Sequence, residues 1–132
     1  MKAPARTEVG AVRHFINGEF VDGSAGETFL TLNPSTNEPL AEVASGGAQE
    51  IDRAVRAARK AFEEGPWPRL PAAERAKVLH RIAELIDRDT DAIARVECLD
   101  TGIPLGQIRR GQVPRAAENF RFFAEMATRI TG

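Results

Sequence analysis

The stretch that most constrains this chain is Glu97-Cys98-Leu99-Asp100-Thr101-Gly102-Ile103-Pro104. A glycine one step past a helix end, with a proline soon after, stops one helix and starts the next. The spacing therefore predicts a helix that closes at Gly102 and another that opens at Pro104, with the acidic side chain of Asp100 at the turn. The flanking segments carry apolar residues at helical spacing. Ile51, Ala54, Val55, Ala58, Ala61 and Phe62 form one stripe, and that helix should stop at Gly65-Pro66. A second helix starts near Ala72 and buries Ala76, Leu79, Ile82, Ala83 and Ile86. Asp89 to Asp91 are suited to cap a third, carrying Ile93, Val96 and Leu99. The fourth runs from about Leu105 to Ile130, with Phe120, Phe123, Ala127 and Ile130 on its apolar face. Pro114 lies inside it and removes a backbone donor, so a kink is expected there.

The residues before 48 read as strands. Asn17-Gly18 between His14-Phe15-Ile16 and Glu19-Phe20-Val21-Asp22 is a strong hairpin signal. Gly23 to Gly26 make a second turn, Glu27 to Leu32 alternate, and Asn33-Pro34-Ser35-Thr36-Asn37 break that strand. Leu40 to Ala44 form the last. The expected class is α/β, with short strands at about 14–44 followed by four helices at about 48–130. Residues 1–12 are expected to be a flexible tail, and 13–132 one continuous segment. There is no internal repeat and no low-complexity segment. The helical stripes are suited to cover a sheet larger than these few strands can make.

The 18 basic and 19 acidic residues leave a net charge of -1, which argues against a nucleic-acid binder steered by a basic surface. No signal-peptide pattern opens the chain, and no apolar run approaches a membrane span. The single cysteine, Cys98, excludes an internal disulfide and fits a reducing cytoplasm. Cys98 sits at a helix end, where the dipole, Glu97 and Asp100 all disfavour a thiolate, so it reads as a packed side chain. His14 and His80 lack a partner at metal-ligand spacing. Gly46-Gly47-Ala48 lacks the pattern of a phosphate-binding loop and reads as a turn. Pro68-Arg69-Leu70-Pro71 fits a polyproline ligand core, but reads better as a loop between helices with Trp67 packed down as a plug. Arg109, Arg110 and Arg115 read as a solvated helix face.

Several motifs fall in one order. They are Phe15-Ile16-Asn17-Gly18-Glu19-Phe20, Asn33-Pro34-Ser35-Thr36, the Ile51 to Phe62 helix, Trp67, Arg75, Leu85-Ile86-Asp87-Arg88-Asp89, Leu99 to Pro104 and Phe122-Phe123-Ala124. In this order and spacing they resemble the N-terminal part of the aldehyde dehydrogenase superfamily, over residues 14–132. Leu40 to Gly47 and Val113 to Glu125 are similar to a subgroup that oxidises an acidic semialdehyde in bacterial breakdown of an aromatic compound.

The resemblance implies part of a Rossmann-like cofactor domain and NAD-dependent oxidation of an aldehyde to an acid. In the family a cysteine attacks the aldehyde, hydride passes to NAD, and a glutamate activates water to release the acid. Those residues and the cofactor's glycine motif lie downstream of the matching region, and Cys98 does not fall at the catalytic cysteine. No catalytic or cofactor-binding residue is therefore expected within 132 residues, and the chain alone is expected to be inactive. Its partners would be the remainder of the dehydrogenase, or a second copy through the apolar faces, and neither nucleic acid nor membrane. A stand-alone interaction module derived from the segment is the rival reading. The resemblance also implies a sodium or potassium site using a backbone carbonyl at Thr31 or Leu32 and the Asp100 carboxylate; the rival is that Asp100 only caps its turn. Finally, it places Arg115 on the helix lining the substrate entrance, where an apolar residue is common. An arginine there is expected to meet a substrate carboxylate, against a salt bridge to Glu118, a contact with Asn119, or plain exposure.

Overall fold

The computed structural model describes residues 9–129. It divides into two compact units, one ending at Gly65 and the other starting at Pro66. Among the described residues no helix is long and apolar enough to cross a membrane.

The first unit contains β1 (Gly10–Val12), β2 (His14–Ile16), β3 (Glu19–Val21), β4 (Thr28–Leu32), β5 (Pro39–Ala44) and α1 (Ala48–Glu64). Asn17 and Gly18 both take positive φ, 56° and 83°. A two-residue hairpin turn needs that backbone to match the twist of its strands. It pairs Phe15 with Phe20, whose rings lie 5.0 Å apart. β5 is the centre of a second sheet, antiparallel to β4 on one side and parallel to β1 on the other. β1 corrects the expected tail: residues 10–12 are a strand held by pairing with residues 41–43. Residues 1–8 of that tail lie outside the described residues.

α1 buries little. Ile51, Val55 and Phe62 are each at least 60% exposed, so its apolar stripe is largely uncovered here. The buried residue of α1 is Glu50.

The second unit opens with a short 3-10 turn at Trp67–Arg69. Backbone bonds from Arg69 and Leu70 to the Pro66 carbonyl hold it. Trp67 stays 44% exposed and is no plug. The unit continues with α2 (Ala72–Arg88) and α3 (Thr90–Thr101). The fourth helix, α4, spans 105–127. It begins as one α turn at Leu105–Gln107, widens to a π-helical segment at Ile108–Gln112, and resumes at Val113–Ala127.

The expected start of α3 needs correction. Asp89 does not cap it with its side chain; its carboxylate is held by Arg88 at 2.7 and 2.8 Å. The inward face differs too. Ile93 and Val96 are exposed while Ala94 is fully buried. On α4, Phe123 is exposed and Val113, Ala117 and Ala124 are buried, with Phe120 half-buried. α2 packs against α4, and the buried residues of α2, Ala76 and Ala83, are also small. Small residues let helix backbones approach closely, so larger apolar side chains are turned outward. Ile130, expected on the same face, lies outside the described residues.

Candidate functional site

Pro114 shapes α4. It has no N–H and its ring crowds the carbonyl four residues earlier, so an unbroken α-helix cannot pass through it unstrained. The preceding turn widens instead, and the Val113 N–H donates to the Ile108 carbonyl, five residues back. Proline and π turns are both recognised sources of helix distortion. Ile108 and Val113 both enter the core cluster with Ala94, packed by half-buried Ile86, Cys98 and Ile103. Cys98 is thus a packing residue, as its sequence setting suggests. An open cleft of about 270 Å³ lies on this inward side, lined by Ile93, Glu97, Gln112 and Ala116 among others.

Arg115 lies on the outward side and is exposed. It has no hydrogen bond or ion pair with any described residue. The expected rival partner, Glu118, instead accepts from Arg121 at 2.8 Å. Arg109, also in the basic group, pairs with Asp91 at 2.6 Å. Arg110 has no ionic partner among the described residues, and its guanidinium lies beside Gly106, where an added Cβ would come within 2.9 Å of Nη2.

The turn after α3 is closed without Asp100. Gly102 takes φ 73° and its N–H donates to the Cys98 carbonyl at 3.0 Å. The Thr101 hydroxyl donates to the Glu97 carbonyl at 2.6 Å and accepts from the Ile103 N–H at 3.3 Å. Asp100 is exposed and has no hydrogen bond or ion pair with a described residue. The capping role considered for it is therefore filled by its neighbours.

Thr31 and Leu32 stand in the first unit and Asp100 in the second. Thr31 pairs with Ala41, and Leu32 pairs with Pro39 across a register shift. The Asn33 N–H donates to the Glu38 carbonyl at 2.9 Å. In a trans peptide the carbonyl points opposite to the next N–H, so the Leu32 carbonyl faces the open edge of β4. Of the two candidates, Leu32 presents the free oxygen. Among the described residues no group of three or more His, Cys, Asp or Glu could hold a metal ion.

The start of α1 does not fit a cofactor phosphate. Glu50 is 4% exposed and accepts the Gly47 N–H and the Ser24 N–H, both at 2.9 Å. These bonds, Gly47 first, lower its pKa from 4.5 to about 2. The helix N-terminus that would attract an anion already carries a carboxylate. His14 Nε2 is buried nearby with no partner, beside Gly46. Sequence reasoning missed this cluster. Its legible signal was Glu50 at the third position of α1, the reciprocal half of a capping box.

The chain matches the aldehyde dehydrogenase family over residues 20–132. It is 47% identical over 117 residues to the mitochondrial benzaldehyde dehydrogenase of Antirrhinum majus, covering 89% of this chain and 22% of that one. It is 46% identical over 121 residues to the 5-carboxymethyl-2-hydroxymuconate semialdehyde dehydrogenase of Escherichia coli, covering 92% and 25%. Its backbone superposes on the NAD+ complex of an aldehyde dehydrogenase from Bacillus cereus with a TM-score of 0.89 and 41% identity, covering 92% and 25%. The chain belongs to the aldehyde dehydrogenase family, and its α/β fold is the N-terminal part of that family's Rossmann-like fold. It spans about a quarter of the length of the curated relatives it matches. These relatives are dehydrogenases and lend no support to a stand-alone module.

Proposed function

We propose that this chain is the N-terminal segment of an NAD-dependent aldehyde dehydrogenase that oxidises an acidic semialdehyde to the corresponding carboxylic acid, in aromatic-compound degradation. In this reading Arg115 holds a carboxylate of the substrate. The observation that carries it is an exposed guanidinium with no hydrogen bond or ion pair to a described residue, while the adjacent acid is taken by Arg121. Bringing an unpaired cation into a substrate passage is unfavourable unless an anion meets it. A guanidinium binds a carboxylate through paired N–H donors in a way lysine does not reproduce. The similarity to an enzyme named for a carboxymethyl-substituted muconate semialdehyde supports this substrate class.

The apolar stripe of α1 is the face the remainder of the enzyme would cover; in isolation it would favour self-association. A sodium or potassium ion would use the Leu32 carbonyl and Asp100, completed by oxygens outside this segment.

The test is Arg115→Met in the full-length enzyme, comparing an acidic semialdehyde with a neutral aldehyde of similar size. Loss of a charge-assisted contact should cost about 1.5–3 kcal/mol in kcat/KM for the acidic substrate alone. Equal losses for both substrates, or none for either, would remove Arg115 from the site.

A further inference from the structure

The open cleft of about 270 Å³ in the second unit is not lined by Arg115. Ile108 and Val113 line it, and the backbone bond of the widened turn joins them. Both are buried and belong to the core cluster, so the packed core of this unit continues into an open apolar wall. Ile93 of α3 and Ala116 of α4 extend that wall. An enclosed apolar cavity of about 150 Å³ holds one benzene ring. This cleft therefore has room for a ring and a short polar head.

Two polar residues line the same cleft, Glu97 from α3 and Gln112 from the end of the π segment. Both are exposed. Among the described residues that line it, Glu97 is the charged one. Its carboxylate has no hydrogen bond or ion pair with a described residue, and the bond from Thr101 goes to its backbone carbonyl. A few polar groups on an otherwise apolar cleft are the usual make-up of a small-molecule site. A free carboxylate there attracts a cation and repels carboxylates and phosphates. The acidic substrate and the phosphates of a nicotinamide cofactor are therefore poor occupants of this cleft.

We infer that the cleft beside the widened turn of α4 is a second small-molecule site, which takes a primary ammonium ion carrying one aromatic ring. The ring lies against Ile108 and Val113, and the ammonium donates to the Glu97 carboxylate and to the Gln112 side-chain oxygen. The site is independent of the assignment of Arg115 and of the aldehyde oxidised.

The test titrates the full-length enzyme, with no aldehyde present, with benzylammonium and with its neutral counterpart benzyl alcohol. Isoleucine methyl resonances report the place of binding. Those of Ile93 and Ile108 should move together at millimolar benzylammonium, and benzyl alcohol should bind more weakly. Glu97→Gln should raise the Kd of benzylammonium about fivefold, as an ion pair at a solvent-facing site allows, and leave benzyl alcohol unchanged. Ile93→Trp, which fills the cleft from an exposed position, should abolish binding of both. If Ile93→Trp does not fold, Ala116→Trp gives the same comparison. Methyl resonances that stay still would overturn the site, since the cleft would then be closed by another part of the enzyme. Equal affinity for the two probes, or a benzylammonium Kd indifferent to Glu97→Gln, would overturn it as well. So would binding that survives both filling variants, which would place the amine elsewhere in the enzyme.

Discussion

Asp100 is one residue before the hydroxyl that closes its turn, and its own carboxylate is left free among the described residues. The residues alone suggested capping, and the cation site came from the resemblance to the family. Thr101 and Gly102 satisfy the helix end, so the turn closes without Asp100. If the carboxylate serves a cation, potassium at tenfold its Kd should stabilise the full-length enzyme by about 1.4 kcal/mol, and Asp100→Asn should abolish most of that gain. Thermal unfolding with and without potassium reads the difference directly; an unchanged potassium response in the variant would leave Asp100 without this role. Arg115 was legible as an anomaly of residue type.

Glu50 acts on the scale of the element. Its carboxylate joins the Ser24 loop to the first turn of α1 through two backbone N–H groups. Its pKa is lowered from 4.5 to about 2 when folded, so the charged form is favoured by folding. The sign follows: its contribution is fully present above about pH 4.5 and disappears as the pH falls toward 2. Glu50→Gln should therefore weaken the enzyme at neutral pH, and the gap from wild type should close across that acid range. Urea midpoints measured against pH check this, and a gap independent of pH would show that the charge is not what matters. Local signals predicted local elements well. Asn17-Gly18 gave the hairpin, and Gly102 with Pro104 gave the boundary between α3 and α4. Pairings distant in sequence were not legible. Gly10-Ala11-Val12 becomes a strand only because β5, some thirty residues later, offers it an edge. The inward faces of α3 and α4 were misjudged because close helix packing selects alanine over the larger apolar residues that periodicity weighs most.

On the scale of the molecule, two compact units carry apolar surface that they do not bury themselves. Ile51, Val55 and Phe62 on α1, and Phe122 and Phe123 on α4, remain more than half exposed. Surface of this kind marks a face made for a partner. The relatives extend to about four times this length. The most direct test is a chimera in which this chain replaces the matching N-terminal quarter of the Escherichia coli semialdehyde dehydrogenase to which it is 46% identical. Formation of reduced nicotinamide cofactor is then followed with an acidic semialdehyde and with a neutral aldehyde. The account predicts that residues 1–132 alone show no turnover and that the chimera is active. It also predicts that the chimera prefers the acidic substrate and loses that preference, by about 1.5–3 kcal/mol in kcat/KM, on Arg115→Met. Turnover by the isolated chain, or a folded and active chimera whose preference is indifferent to Arg115, would contradict it.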